Sequence, residues 1–168
     1  MNNRINSIAA KSQIELDNIP VDFIGYIIID FGNESVPANV NKEYEYASLL
    51  IIRNNYVKVT ATNNMEIYDN ATVYTYKNCG VCAYGDSIIY AHDNSDIIAR
   101  GNTIIEAHDN CSVEAFWNAR VTAFDESAIV CHDNTEVYLY DKCSIMSYKG
   151  TTIHICGNNI VFRNNFQE

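Results

Sequence analysis

His92, Asp93 and Asn94 recur as His108, Asp109 and Asn110, and again as His132, Asp133 and Asn134. An imidazole beside a carboxylate is the pairing used for zinc ligation and for proton transfer near neutral pH. "CGVC", from Cys79 to Cys82, has the spacing of a redox dithiol or half a zinc site. Such residues do chemistry only where the backbone makes them converge, since zinc needs three or four ligands on one point. The elements that carry them therefore decide what they are.

The elements are set by an eight-residue period. From Leu49 to Glu168 the chain divides into fifteen octads whose first residue is always aliphatic or Met, from Leu49, Val57 and Met65 to Ile153 and Val161. Position three is small from Ala83 through Ala123, and position seven is mostly small, as in Ala71, Cys79, Ser87 and Cys111. Positions seven, one and three are two apart, so on a strand they face one way. Position four is aromatic or His in most octads from Tyr68 to Tyr148, and positions five and six read Asp-Asn, Gly-Asn or a relative. Asp, Asn and Gly tolerate left-handed backbone and make tight corners. Each octad is thus a short strand followed by a two-residue corner.

So short a strand cannot bury its apolar face alone, but stacked coils can. A meander of antiparallel hairpins would not demand the same residue at the same place in every unit. The sequence therefore predicts an all-β fold, a parallel β-helix or β-solenoid. Two octads per coil stack Asp93, Asp109, Asp125 and Asp141 on one edge, put Gly85 and Gly101 on the other, and set Ile88 on Ile104. Sixteen residues per coil is preferred on that ground, giving about 7.5 coils and a rod of roughly 36 Å at ~4.8 Å per strand; a triangular coil of three octads is the alternative. Asn54, Asn70, Asn78, Asn94, Asn102, Asn110, Asn118, Asn134 and Asn158 at position six are expected to form amide ladders. Residues 1–48 lack the octad, hold both prolines (Pro20 and Pro37) and include the strand-like "FIGYIIIDF". They are expected to form a mostly β N-terminal cap on a solenoid of residues 49–168, because an open strand edge recruits other chains. "FRNNFQE" at the other end is a poor cap.

In this frame His-Asp-Asn becomes ring, corner and ladder. His92 and His108 stack one strand apart with Phe124 and Tyr140 continuing their column, which favours an outward ring ladder over a metal site. Cys79 and Cys82, three apart on a strand, point to opposite faces. Cys79, Cys111 and Cys143 share position seven and read as small core fillers. Neither metal nor cofactor is expected. Calcium-binding β-rolls resemble the chain in their turn aspartates, but they repeat Gly-Gly-x-Gly-x-Asp every nine residues, a pattern absent from these octads.

The net charge of -10 argues against direct binding to nucleic acid or to an anionic membrane. The start lacks a signal-peptide layout, and the longest apolar run, Phe23 to Ile29, is too short to span a bilayer, so a cytoplasmic protein is expected. The acids concentrate between residues 86 and 141: Asp86, Asp93, Asp96, Glu106, Asp109, Glu114, Asp125, Glu126, Asp133, Glu136 and Asp141. Only Arg100 and Arg120 oppose them there. An excess of nine charges along roughly 17 Å compares with about ten for duplex DNA at one per ~1.7 Å.

Residues 49 to 168 resemble short-repeat parallel β-solenoids. Pentapeptide-repeat proteins are acidic solenoids, some of which mimic DNA to inhibit DNA-handling enzymes, and bactofilins are β-helices that polymerise end to end. The octad has neither repeat length, so the likeness is one of architecture. It implies a non-catalytic inhibitor whose acidic face occupies the basic surface of a nucleic-acid-binding protein, a role suited to a phage or mobile-element inhibitor of host defence. A self-assembling structural scaffold is the alternative. An enzyme is the least favoured reading, since nothing converges on a nucleophile or a phosphate cradle. Ile88, Ile98, Ile104, Val130, Met146 and Phe162 are outward and apolar, and are expected to form one patch for a homodimer.

Overall fold

A computed structural model describes residues 6–32, 37–53 and 55–162. Strand β1 (Ser7–Ala10) is followed by helix α1 (Gln13–Asn18), β2 (Gly25–Ile29) and β3 (Ala38–Val40). Strands then come every eight residues: β4 (Ala47–Ile51), β5 (Tyr56–Val59), β6 (Asn64–Ile67), β7 (Thr72–Thr75), β8 (Gly80–Ala83), β9 (Ile88–Ala91), β10 (Asp96–Ala99) and β11 (Ile104–Ala107). The series continues with β12 (Ser112–Ala115), β13 (Arg120–Ala123), β14 (Ala128–Cys131), β15 (Glu136–Leu139), β16 (Ser144–Ser147), β17 (Thr152–Ile155) and β18 (Val161–Phe162). Successive strands alternate between two parallel sheets, one of ten strands (β1, β2, then the even-numbered strands) and one of eight (the odd-numbered strands from β17 back to β3). The molecule is a parallel β-solenoid of about nine turns with about 16 residues per turn. Val81, Ile97 and Val113 pair in sequence, as do Ile89, Ile105 and Val121 on the other sheet.

The core is the space between the sheets. Positions one, three and seven fill it with aliphatic, alanine and small residues: Ile97, Ala99, Ile105, Ala107, Cys111, Val113 and Ala115 are all buried. Position seven also carries buried hydroxyls, and those of Ser87, Ser95, Thr103 and Thr135 close the corner, whereas Ser127 Oγ has no partner among the described residues. Thr103 Oγ1 donates to the Arg100 carbonyl (2.9 Å) and Ser95 Oγ to the His92 carbonyl (3.0 Å), so burial leaves those hydroxyls paired.

Parallel pairing continues across Leu49 into the preceding chain, where the coils lengthen: Ser7 pairs with Tyr26, and Gly25 with Ala47. This is why there are more turns than the octads alone supply. Helix α1 lies against β1 and β3 and buries Leu16. The Gln13 amide donates to the Asn39 carbonyl (2.9 Å) and accepts from the Asn39 N–H (2.8 Å), occupying both main-chain groups of that residue on edge strand β3. Two buried amides tie the irregular coils to the regular ones. Asn55 Oδ1 accepts from the Phe31 N–H (2.9 Å), and Asn63 Oδ1 from the Tyr44 N–H (3.1 Å).

At the far end the register slips by one. Ser144 pairs with Val161 and Ile145 with Phe162, so Phe162 follows the column of Ile145 rather than that of Met146. One extra residue flips a strand's faces, which corrects the outward placement expected for Phe162. Its exposure, 50%, comes from lying on the last coil. The remainder of "FRNNFQE", residues 163–168, and Asn54 lie outside the described residues.

Val113 tests the thinness of this core, being 1% exposed between two sheets. Val113→Asp is expected to lower the unfolding free energy by about 4 kcal/mol or more, because the carboxylate has no partner there. Urea denaturation followed by circular dichroism measures it.

Candidate functional site

From His108 to Tyr148 the corners are turns closed from position four to position seven, as in Cys111 N–H to the His108 carbonyl (3.3 Å). The first corner residue has left-handed backbone: φ is 61° at Asp93, 59° at Asp109, 57° at Asp125 and 53° at Asp141. Two bonds join each such corner to the next. The residue-six N–H reaches back to the position-five carbonyl of the coil before, as Asn110 does to Asp93 (2.9 Å) and Glu126 to Asp109 (3.0 Å). In return, the position-five N–H of the earlier coil donates to the aspartate of the later one. Lys77 donates to Asp93 Oδ2 (2.8 Å), Asp93 to Asp109 (3.0 Å), Asp109 to Asp125 (3.0 Å) and Asp125 to Asp141 (3.3 Å). On the opposite edge Arg53 donates to Asp69 and Trp117 to Asp133 in the same way. Aspartate recurs at position five because it tolerates this φ and because its carboxylate satisfies a main-chain donor one coil away. Glycine is the other solution, used at Gly85 and Gly101, where a Cβ on Gly101 would meet the Gly85 carbonyl oxygen at 2.8 Å.

The amide ladder expected at position six is the lesser one. Asn94 bonds Asn78 (3.3 Å), Asn102 bonds Asp86 (2.8 Å) and Asn118 bonds Asn102 (3.5 Å). The side-chain connection that runs furthest is the aspartate one.

The eleven acids divide among four surfaces. Asp93, Asp109, Asp125, Glu126 and Asp141 share one edge, where, with Asn110 and Lys142, they line a shallow depression from Asp109 onward. Lys142 is the cation there, 3.7 Å from Glu126 with both side chains 65% exposed, a weak pair in water. Asp86 and Asp133 lie on the other edge, Asp96 and Glu114 on the ten-stranded face, and Glu106 and Glu136 on the eight-stranded face. Several of these are engaged: Glu106 with His108 (2.8 Å), Glu114 with His132 (3.2 Å), and Glu136 with Arg120 (2.8 Å) and His154 (3.3 Å). The Tyr138 hydroxyl, and after it Arg120, holds the Glu136 carboxyl below its ordinary range.

Position four forms ring columns. On the eight-stranded side Tyr76, His92, His108, Phe124 and Tyr140 stack with centroids 4.7 to 5.0 Å apart. On the ten-stranded side Arg100 lies between the rings of Tyr84 and Phe116. The histidines therefore meet rings, while the neighbouring aspartates face main-chain donors. No group of three His, Cys, Asp or Glu able to hold a metal occurs among the described residues. In "CGVC" Cys79 is buried and donates to the Tyr76 carbonyl (3.1 Å), while Cys82 is on the outer face. All six cysteines are free thiols. Burial pushes Cys111 and Cys143 up to about 11 and Cys131 up to about 12, so these are not thiolates at neutral pH.

The apolar residues do not form the single patch expected. Ile98, Val130 and Met146 are on the ten-stranded face, whereas Ile88 and Ile104 begin strands of the eight-stranded face. Position eight follows the corner, so it belongs to the next strand and the other sheet. No helix among the described residues is long and apolar enough to cross a membrane. No family model, curated protein or solved structure matches the chain. What is defined is a class, the parallel β-solenoid with a sixteen-residue coil.

Asp109 separates the corner's geometric demand from its charge. Asp109→Asn keeps an acceptor and tolerates the backbone, so the urea midpoint is expected to move by no more than about 0.5 kcal/mol of stability. Asp109→Ala strands the Asp93 N–H and puts alanine at positive φ, costing about 1–3 kcal/mol.

His92 gives a pH signature. Burial first, and then the charge of His108, pull its pKa below the ordinary 6.5. The unfolded chain binds this proton more readily, so the stability concerned is present above 6.5 and lost as pH falls through 6.5 toward the lower folded value. His92→Tyr keeps the ring and removes the proton. The variant's urea midpoint is expected to fall less than that of the wild type between about pH 7.5 and about pH 5.5.

Proposed function

We propose that the protein is a non-catalytic binding protein whose acidic edge docks on the basic surface of a partner, one that itself handles nucleic acid. The observation that carries this reading is the column of Asp93, Asp109, Asp125 and Asp141, with Glu126 beside it. It places four carboxylates in line at one strand spacing, about 4.8 Å, along a rigid rod. Such a row raises the local concentration of a cationic partner and speeds encounter. With five of the eleven acids on this edge, the likeness to a duplex is confined to one line of charge rather than the whole stretch. The inhibitor would work in the cytoplasm of the cell that holds its target, by excluding nucleic acid from the site it covers. A second reading, assembly with other copies through the C-terminal end, is favoured by Ile155, Val161 and Phe162, each at least half exposed on the last coils.

The test neutralises Asp93, Asp109, Asp125 and Asp141 to Asn together, which keeps their acceptor oxygens and so preserves the corners. A partner isolated by pull-down from lysate is then titrated over a salt series. Wild-type affinity is expected to fall steeply as salt shortens the Debye length from ~10 Å at 0.1 M, and the four-Asn variant to bind roughly tenfold or more weakly, mainly through slower association. Glu66→Gln with Asp69→Asn, away from this edge, is the control. Binding indifferent to salt and to the four substitutions replaces this reading with the assembly one.

A further inference from the structure

On the outer face of the ten-stranded sheet, position eight runs Asn64, Gly80, Asp96 on successive coils, and position two runs Glu66, Cys82, Ile98 beside it. The missing side chain at Gly80 opens a depression of about 300 Å³, with Val81 and Cys82 in its lining and Ile98 at one side. Asn64 leans across the bare Cα of Gly80: a Cβ there would lie 2.5 Å from Asn64 Oδ1. Asp96 stands on the far side of Gly80, one strand spacing of about 4.8 Å away. An amide oxygen and a carboxylate thus border the polar end of the depression. Both residues are exposed, and neither side chain hydrogen-bonds a described residue.

The other end is apolar. Along the strand from Gly80 the next outward residue is Cys82, two residues or about 7 Å on, with Ile98 beside it on the following coil. That length suits one ring or a short alkyl chain, and the Cys82 thiol and Ile98 give it apolar cover. Glu66 lies on the rim, where it accepts from the Tyr68 hydroxyl (2.8 Å) and adds negative charge. None of the described residues lining the depression is Lys or Arg. Two acceptors without a donor select N–H groups, an unpaired carboxylate selects a positive charge, and the thiol and isoleucine select an apolar body.

We propose that this depression binds a primary amine with a small apolar body, an arylalkylammonium ion. Its ammonium group lies between Asn64 Oδ1 and the Asp96 carboxylate and donates to both, and its ring covers Cys82 against Ile98. The site is on a sheet face, away from the column of Asp93, Asp109, Asp125 and Asp141, and does not depend on that column having a partner.

Phenethylamine is the probe, titrated into the full chain by calorimetry, with phenethyl alcohol as the uncharged control. Saturable binding is expected, at least tenfold tighter for the amine. The bound ring covers the Cys82 thiol, so it should slow alkylation of Cys82 by iodoacetamide several-fold, read by peptide mass spectrometry. Gly80→Val fills the depression. Gly80 is not at positive φ, and the atom its Cβ would meet is the end of a side chain free to swing away, so the fold is retained, as circular dichroism checks. This variant is expected to weaken amine binding at least tenfold, as is Asp96→Asn, which removes the charge. Ser144→Ala, three coils further along the same column, should leave binding unchanged. Absence of saturable amine binding to the wild type overturns the proposal, as does alcohol binding as tight as the amine's. So does a Gly80→Val or Asp96→Asn variant that binds like the wild type, or a Cys82 thiol that reacts equally fast with the amine bound.

Discussion

The return of the main chain to the same place after sixteen residues governs everything else in the molecule. Parallel strands one coil apart bond along their length, so in the regular coils each strand side chain lies next to the residue sixteen away at a spacing of about 4.8 Å. At that distance a ring gains by facing a ring, as His108 does between His92 and Phe124. Small residues gain by letting the two sheets approach, and alanine at position three does this in six consecutive octads from Ala83 to Ala123. An inserted residue shows the force of the rule. One extra position before Val161 keeps the last strand in the ten-stranded sheet but turns its side chains over, so that Phe162 follows Ile145.

Like charges are the cost of stacking like on like, and the corners turn that cost to use. Each aspartate of the Asp93 to Asp141 column accepts a main-chain N–H from the coil before it, so the negative charge faces an amide dipole as well as its own image. Away from the corners the acids are relieved differently. Glu106, Glu114 and Glu136 each meet a histidine, and Glu136 also meets Arg120 and the Tyr138 hydroxyl. The acidic edge is therefore first a product of how the corner is built. What makes it a candidate surface is that the same geometry leaves its carboxylates in one exposed line.

The groups with the most reactive look are the ones the packing silences. The position-seven thiols are buried and held protonated, and Cys79 and Cys82 lie on opposite sides of one strand. The histidines are spent in ring columns. The clearest departure from the repeat is at the last coils, where Ile155 and Phe162 are exposed.

Much of the architecture is legible in the residues alone, because a coil that stacks on itself writes its period into the chain. The aliphatic first position, the small third and seventh, the ring at four and the Asp-Asn corner together determine two strands per coil, an inward and an outward face, and the shared edge of Asp93, Asp109, Asp125 and Asp141. Three things were decided only in the folded chain. Which sheet holds position eight depends on where the corner ends, and this placed Ile88 and Ile104 opposite Ile98 and Val130. The partner of each carboxylate is a main-chain N–H sixteen residues away, an atom that no side-chain pattern records. The strands before Leu49 join the same sheets through unequal loops, with Gln13, Asn55 and Asn63 supplying the hydrogen bonds that a regular octad would have made. A period fixes what neighbours what along the rod, and only packing across it decides which polar groups are left over to be paired.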